Sequence, residues 1–272
     1  MENYWQTDAE KLTFPVQFMK NSFICSLLLI SGFPVFSQEI AKDYTRPEAT
    51  EIWEPKPRIV EPGKEFNAPP SDAIVLFDGK NQAAWASSND AGASQWELQN
   101  GIMITKTGAG NIQTKQKFGD CQLHIEFLMY PSDGSTVHGH LNEGNSGVYL
   151  QERYELQIYD SHHDASKIYV NGQCGTIYKQ SVPLVNPTSK RGEWNTYDVY
   201  YTAPKFRYNG SVEQPAYVTV VQNGVLIINH FEIQGTIQHA GIPKYEPHGK
   251  ASVMLQEHGA KVGFRNIWIR EL

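Results

Sequence analysis

The sequence predicts an all-β protein built as a sandwich of two antiparallel sheets. Three observations carry that reading. Residues 144 to 161 hold two runs that sort apolar from polar side chains with the two-residue period of a half-buried strand. Asn100-Gly101 and Asn223-Gly224 each sit between short apolar or β-branched runs, the signature of a tight hairpin turn. Helical periodicity is scarce, aromatic residues make up 12% of the chain and Gly-rich breaks recur, which favours many short strands over strand–helix alternation.

The elements follow in chain order. Residues 1–18 carry Glu2, Asp8 and Glu10 and do not resemble the positive start of an export signal. Met19-Lys20-Asn21 does, Phe23 to Phe36 supplies the apolar run, and Val35-Phe36-Ser37 has small residues at the two positions that a signal peptidase reads. The expectation is translation from Met19, with 1–18 an upstream mis-start, a signal peptide over 19–37, and an exported chain that begins at Gln38 in the periplasm or outside the cell. The apolar run is roughly half of the ~20 residues that a membrane span needs and contains Gly32 and Pro34, so it is not read as an anchor. Cys25 lies early in that run, which argues against a lipoprotein.

Residues 38–72 hold Pro47, Pro55, Pro57, Pro62, Pro69 and Pro70 among many charges and read as an extended leader. The domain is expected over 73–272. Ile74-Val75-Leu76-Phe77, closed by Asp78-Gly79, is its first strand; Trp96 to Leu98 and Ile102 to Ile104 flank the first Asn-Gly turn. Leu123 to Met129, Thr196 to Thr202, Tyr217 to Val221, Val225 to Asn229, Ala251 to His258 and Val262 to Ile269 are the other expected strands.

Composition narrows the function. A formal charge of -6 with no basic stripe argues against a nucleic-acid partner. The chain has no CxxC, His-Glu-x-x-His, Gly-x-Ser-x-Gly or phosphate-cradling Gly-rich loop, which removes support for zinc proteases, elbow-type esterases and any nucleotide cofactor. Cys121 and Cys174 are the cysteines left after export; an oxidising compartment permits a disulfide, but spacing does not show that they meet.

In 144–161, Val148, Leu150, Leu156 and Ile158 form one face, and Tyr149, Gln151, Glu155, Gln157 and Tyr159 the other. A three-residue connection, Glu152 to Tyr154, pairing Gln151 with Glu155 and Tyr149 with Gln157, keeps the faces separate where a two-residue turn would mix them. Amides, a carboxylate and phenol rings on one wall suit a sugar, with hydrogen bonds for hydroxyls and ring faces for C–H patches. An ordinary half-exposed hairpin alternates in the same way.

That stretch, with Asn171-Gly172-Gln173-Cys174-Gly175, Gly192-Glu193-Trp194-Asn195-Thr196-Tyr197-Asp198, Leu255-Gln256-Glu257-His258-Gly259 and Phe264-Arg265-Asn266-Ile267-Trp268, resembles the 3-keto-disaccharide hydrolase family in matching order from Ala73 to Leu272. The resemblance implies a concanavalin-like jelly roll of two curved antiparallel sheets with ligand on the concave one. It also implies activity on 3-keto-glycosides, as a hydrolase or as a 1,2-lyase with a hydratase step. Cys121 stands where the family pattern leads one to expect an aromatic residue, so no family disulfide is implied.

The chemistry so implied needs a base for the C2 proton, an electrophile for the enolate oxygen and a proton for the leaving oxygen. A divalent metal could hold the enolate. Glu155 and His258 are the catalytic candidates, each in a family-like motif. Tyr149, Gln151, Gln157, Tyr159, Gln256, Arg265 and Asn145 are the substrate-binding candidates. Parity places His124 and Glu126 opposite Leu123, Ile125 and Phe127, so both join the expected polar wall, and with His140 they are the metal candidates. His138 and Glu143 lie in the loop before Gly144, His239 and His248 in a Pro-rich loop able to close the cleft, and Asp160 reads as a turn residue. A carbohydrate-binding module and a laminarinase-like glycosidase are the alternatives. The second is weakened by Gln157, which stands where a carboxylate would be wanted.

Overall fold

The computed structural model describes residues 44–272 except 66, 132–135, 138–139, 142–143 and 163–168, with the backbone alone at 136–137 and 140–141. The signal peptide, Met19, Cys25 and Gln38, together with His138, Glu143 and the side chain of His140, lie outside the described residues. Residues 44–57 hold one short 3-10 helix, Pro47–Thr50, with no buried residue. The main compact unit runs from Arg58 to Leu272. Among the described residues no helix is long and apolar enough to cross a membrane.

In chain order the strands are β1 Ile74–Phe77, β2 Trp85–Ser87, β3 Glu97–Gln99, β4 Ile102–Ile104, β5 Ile112–Thr114 and β6 Cys121–Met129. There follow β7 Thr136–Val137, β8 His140–Leu141, β9 Ser146–Leu150, β10 Tyr154–Ile158, β11 Trp194–Thr202 and β12 Lys205–Phe206. The last are β13 Val212–Gln214, β14 Tyr217–Gln222, β15 Val225–Glu232, β16 Met254–Leu255 and β17 Val262–Glu271. One sheet has eight strands, ordered β15-β14-β11-β6-β17-β4-β3 with β1 also on β17; the other has five, ordered β10-β9-β16-β5-β2. All of their pairings are antiparallel. The chain thus folds as the expected all-β sandwich.

Both Asn-Gly turns form where the dipeptides stand, with φ of 52° and 77° at Asn100 and Gly101 and of 51° and 79° at Asn223 and Gly224. The core lies between the sheets: Leu123, Ile125 and Phe127 of β6 meet Val148 of β9, Leu156 of β10 and Leu255 of β16, with Trp85, Phe118, Tyr197 and Phe264 filling the larger gaps. Short β2 and β5 were not foreseen, and the expected strand over Ala251 to His258 contracts to β16, because backbone pairing there reaches only as far as its neighbours β5 and β9. Cys121 and Cys174 are both buried and free, so the permitted disulfide is not formed. Cys174 Sγ lies 3.0 Å from Tyr197 Oη and accepts from Gln222 Nε2 at 3.6 Å.

The β9–β10 register departs from expectation by two residues, with the connection beginning one residue earlier. Tyr154 pairs with Leu150 and Glu155 with Tyr149, leaving Gln151 to Arg153 as the connection. The reason is local: Gln151 and Glu152 take left-handed φ of 51° and 62°, and Arg153 N–H donates to Leu150 O at 3.1 Å, closing the turn one residue early. The three-residue length and the separation of the faces survive.

Asn67 and Asp72 hold the chain before β1 against the eight-stranded sheet. Asn67 O accepts from Asn266 Nδ2 and from Trp268 Nε1, each at 3.0 Å, and Asp72 accepts from Arg270 at 2.8 Å. A bulge in β17 between Arg265 and Trp268, with Asn266 at φ 44°, turns the Asn266 amide toward these partners.

Candidate functional site

The polar face of the five-stranded sheet carries a cleft of about 340 Å³, lined by Asn145, Tyr149, Glu155, Gln157, Tyr178, Ile237, His239, Gln256 and His258. That volume falls at the small end of the ~300–1,000 Å³ typical of small-molecule sites. Strand parity creates the cleft floor: Val148, Leu156 and Leu255 point into the core, so Tyr149, Glu155 and Gln157 point away from it.

Gly147 shapes the floor. It pairs with Gln157, and a Cβ at Gly147 would fall 2.4 Å from Glu155 Oε1, so the carboxyl rests on the bare backbone of β9. Tyr149, directly opposite Glu155, donates its hydroxyl to the carboxylate and accepts from Gln256 Nε2 at 3.0 Å. The other Gln256 atom, Oε1, is buried and has no hydrogen-bond partner among the described residues.

Glu155 is 4% exposed, and among the described residues no salt bridge reaches it. Burial pushes its carboxyl up to about 7, with only the Tyr149 hydrogen bond pulling the other way. A carboxyl poised near neutral pH in a cleft can both accept and return a proton.

Amides order the far side of the cleft. Gln157 Nε2 donates to Asn145 Oδ1 at 2.8 Å and lies 3.2 and 3.0 Å from the carbonyls of Ser146 and Ile158. Asn145 Nδ2 lies 3.3 Å from His258 Nδ1. On the rim, Tyr178 Oη lies 3.4 Å from His239 Nδ1, and the Lys179 ammonium donates to the His239 carbonyl.

Six of the expected residues therefore share one cleft: Glu155, His258, Tyr149, Gln157, Gln256 and Asn145; His239 joins them from the loop. Others do not. Gln151 turns into the interior, where its Nε2 donates to Phe118 O at 3.0 Å and its Oε1 accepts from Tyr201 at 2.8 Å, because left-handed φ at the turn takes it off the strand period. Tyr159 follows β10, half-buried, and does not line the cleft. His248 packs instead against Tyr154, 2.8 Å from its hydroxyl. Asp160 is buried and accepts from the Arg191 guanidinium, more than a turn residue would need.

His124, Glu126 and Arg265 lie on the other sheet, facing away from the core, so the single polar wall expected from parity splits in two. Parity assigns faces, never sheets. Glu126 accepts from Arg265 Nε at 2.6 Å and from Asn266 Nδ2 at 2.8 Å, His124 Nδ1 lies 2.7 Å from Asp198 Oδ1, and Arg265 stacks 3.9 Å over the Trp194 ring. Burial would raise the Glu126 carboxyl, but His124, Asn266 and Arg265 outweigh it and hold it down at about 2. A guanidinium already occupies this carboxylate, so His124 and Glu126 do not fit a metal ion. Among the described residues no three His, Cys, Asp or Glu side chains form a group that could hold one.

Tyr178 and Ile237 escaped the sequence reading. Tyr178 had a signal: Thr176-Ile177-Tyr178 alternates, Ile177 bridges Leu156 in the core, and Tyr178 N–H donates to Glu155 O at 3.2 Å, which brings its ring to the cleft side.

With this geometry in view, the model of the 3-keto-alpha-glucoside-1,2-lyase-like domain matches residues 72–270. A crystal structure from Parabacteroides distasonis ATCC 8503, described as that of a candidate glycosyl hydrolase, is 45% identical, with a TM-score of 0.76 over 84% of this chain and 97% of that one. Two further structures so described from the same organism share the fold at 20% and 22% identity, with TM-scores of 0.53 and 0.51; each covers 74% of this chain, and 94% and 99% of its own. Among curated proteins none matches.

Proposed function

This chain belongs to the 3-keto-alpha-glucoside-1,2-lyase-like family, and we propose that it cleaves 3-keto-glycosides by removing the C2 proton and eliminating the C1 substituent. One observation carries the proposal: Glu155, a carboxyl raised to about 7 by burial, sits in the cleft with only the Tyr149 hydroxyl pulling the other way. A C3 ketone acidifies the C2 hydrogen, and a carboxylate of raised pKa is a stronger base than an exposed one while still ionising near neutral pH.

Glu155 takes the C2 proton, and the C–H electron pair becomes the enolate. As the C1=C2 bond forms, the C1–O bond breaks, and its electron pair leaves on the glycosidic oxygen, which takes a proton from the cleft. Water added across C1 and C2 gives net hydrolysis; without that step the unsaturated sugar is the product. Donors from His258, His239 and Tyr178 surround the cleft and serve the enolate and leaving oxygens. A divalent cation for the enolate would need ligands other than His124 and Glu126. Export through residues 19–37 accords with this reading, and N-terminal sequencing of the secreted protein should begin at Gln38.

The deciding assay compares plain and 3-keto disaccharides side by side. Turnover of the 3-keto substrate alone, with C2 deuterium lost to solvent or slowing the reaction, is the expected result. Cleavage of the plain glycoside would point to a classical glycosidase, and binding without turnover to a carbohydrate-binding module. Retention of C2 deuterium with no isotope effect would overturn the elimination.

A further inference from the structure

The amides beside His258 are ordered by polarity alone. Gln157 is 4% exposed, and its Nε2 faces Asn145 Oδ1 and the carbonyls of Ser146 and Ile158 at 2.8, 3.2 and 3.0 Å. Backbone carbonyls only accept, so the Gln157 side chain cannot be turned over without setting oxygen against oxygen in a buried place. The Asn145 atom that meets Gln157 Nε2 must then be its oxygen. Its NH2 is left facing His258 Nδ1 at 3.3 Å. An amide NH2 is a donor only, so Nδ1 must present its lone pair.

We infer that Gln157 and Asn145 are positioning residues that hold His258 as the neutral Nε2–H tautomer. The two candidates for proton chemistry then take separate roles. With Nδ1 engaged and the proton on Nε2, His258 is a hydrogen-bond donor with no lone pair left for proton abstraction, and Glu155 is the group left to remove one. This division of labour rests on the elimination proposed above, whereas the tautomer itself does not.

The ring nitrogens of His258 in the full-length protein labelled with 15N, assigned by comparison with His258→Ala, test it without substrate. The expected spectrum has a pyridine-type Nδ1 and a proton-bearing Nε2; a proton on Nδ1 would overturn the inference. Asn145→Asp keeps an acceptor for Gln157 but offers His258 Nδ1 an acceptor too, so Nδ1 should gain a proton, by tautomer shift or as imidazolium beside the new carboxylate. If Nδ1 stays pyridine-type in that variant, Asn145 does not set the tautomer. On a 3-keto disaccharide, Asn145→Asp should lower kcat about 10²-fold, the scale of one lost general-acid or oxyanion contact, with KM nearly unchanged. A switched tautomer with undiminished kcat would remove the donor role. Absence of 3-keto turnover in the wild type, together with the expected spectrum, would defeat the elimination reading and leave the tautomer assignment standing.

Discussion

Glu126 and Glu155 are one residue type on comparable ground, each on the outer face of a sheet and nearly sealed from solvent at 8% and 4% exposure. Their carboxyls nevertheless end far apart, at about 2 and about 7. Burial raises both. What separates them is company: Glu126 has Arg265, Asn266 and His124, while Glu155 has the Tyr149 hydroxyl. Burial by itself therefore does not mark a working carboxylate. A buried acid that no cation pairs with is the one left able to exchange a proton near pH 7.

The comparison is broken most sharply by removing each acid in turn. Glu155→Gln should lower kcat on a 3-keto disaccharide by at least about 10²-fold. In the wild type, kcat/KM should rise with pH to a plateau with a midpoint near 7, as Glu155 ionises. Stability should move the other way. Because the folded pKa of Glu155 lies above its ordinary 4.5, its contribution is fully present below about 4.5 and lost as pH rises through about 7. At ~1.4 kcal/mol per unit, that loss is about 3 kcal/mol, so Glu155→Gln should be the more stable protein at pH 8, with the gain shrinking toward pH 5 in denaturant titrations.

Glu126→Gln should show the reverse pattern. Activity should stay within about twofold, while stability falls by about 1–3 kcal/mol, the usual scale for losing charge-assisted hydrogen bonds of a partly exposed partner such as Arg265. The sign along the pH axis also inverts: the folded pKa of Glu126 is depressed, so its stabilisation is present above the ordinary 4.5 and lost as pH falls through about 2. Equal pH slopes for the two variants would collapse the distinction.

Gly147→Ala sharpens the comparison at the site. The new methyl would meet the mobile end of the Glu155 side chain, not backbone, so folding should change little while kcat drops about 10-fold as the carboxyl is displaced. Tyr149→Phe should act most weakly. The Tyr149 hydrogen bond favours the ionised acid, so its loss should move the kcat/KM midpoint upward without abolishing turnover.

The strand period made the faces legible: Tyr149, Glu155 and Gln157 share a surface that can be read from alternation alone. Which sheet a strand joins is a property of pairing across long stretches of chain, and β6 carried His124 and Glu126 to the other one. Arg265 meets Glu126 as its direct partner across β17 and β6, and Asn266 joins them from the β17 bulge, which leaves no trace in periodicity. Tyr178 comes to the cleft through a single bridge after Gly175, too short for a strand pattern to announce.

The Gln151 side chain has a bearing on protein engineering. Its amide joins the hairpin turn to Phe118, Gly249 and Tyr201, drawn from three distant parts of the chain. A loop graft that lifts β9, β10 and their connection onto a foreign scaffold would carry Glu155 along but leave this amide without its partners. The transplant would have to bring the two receiving carbonyls and the donating phenol as well, so the smallest portable unit of this cleft is much larger than the hairpin that bears it.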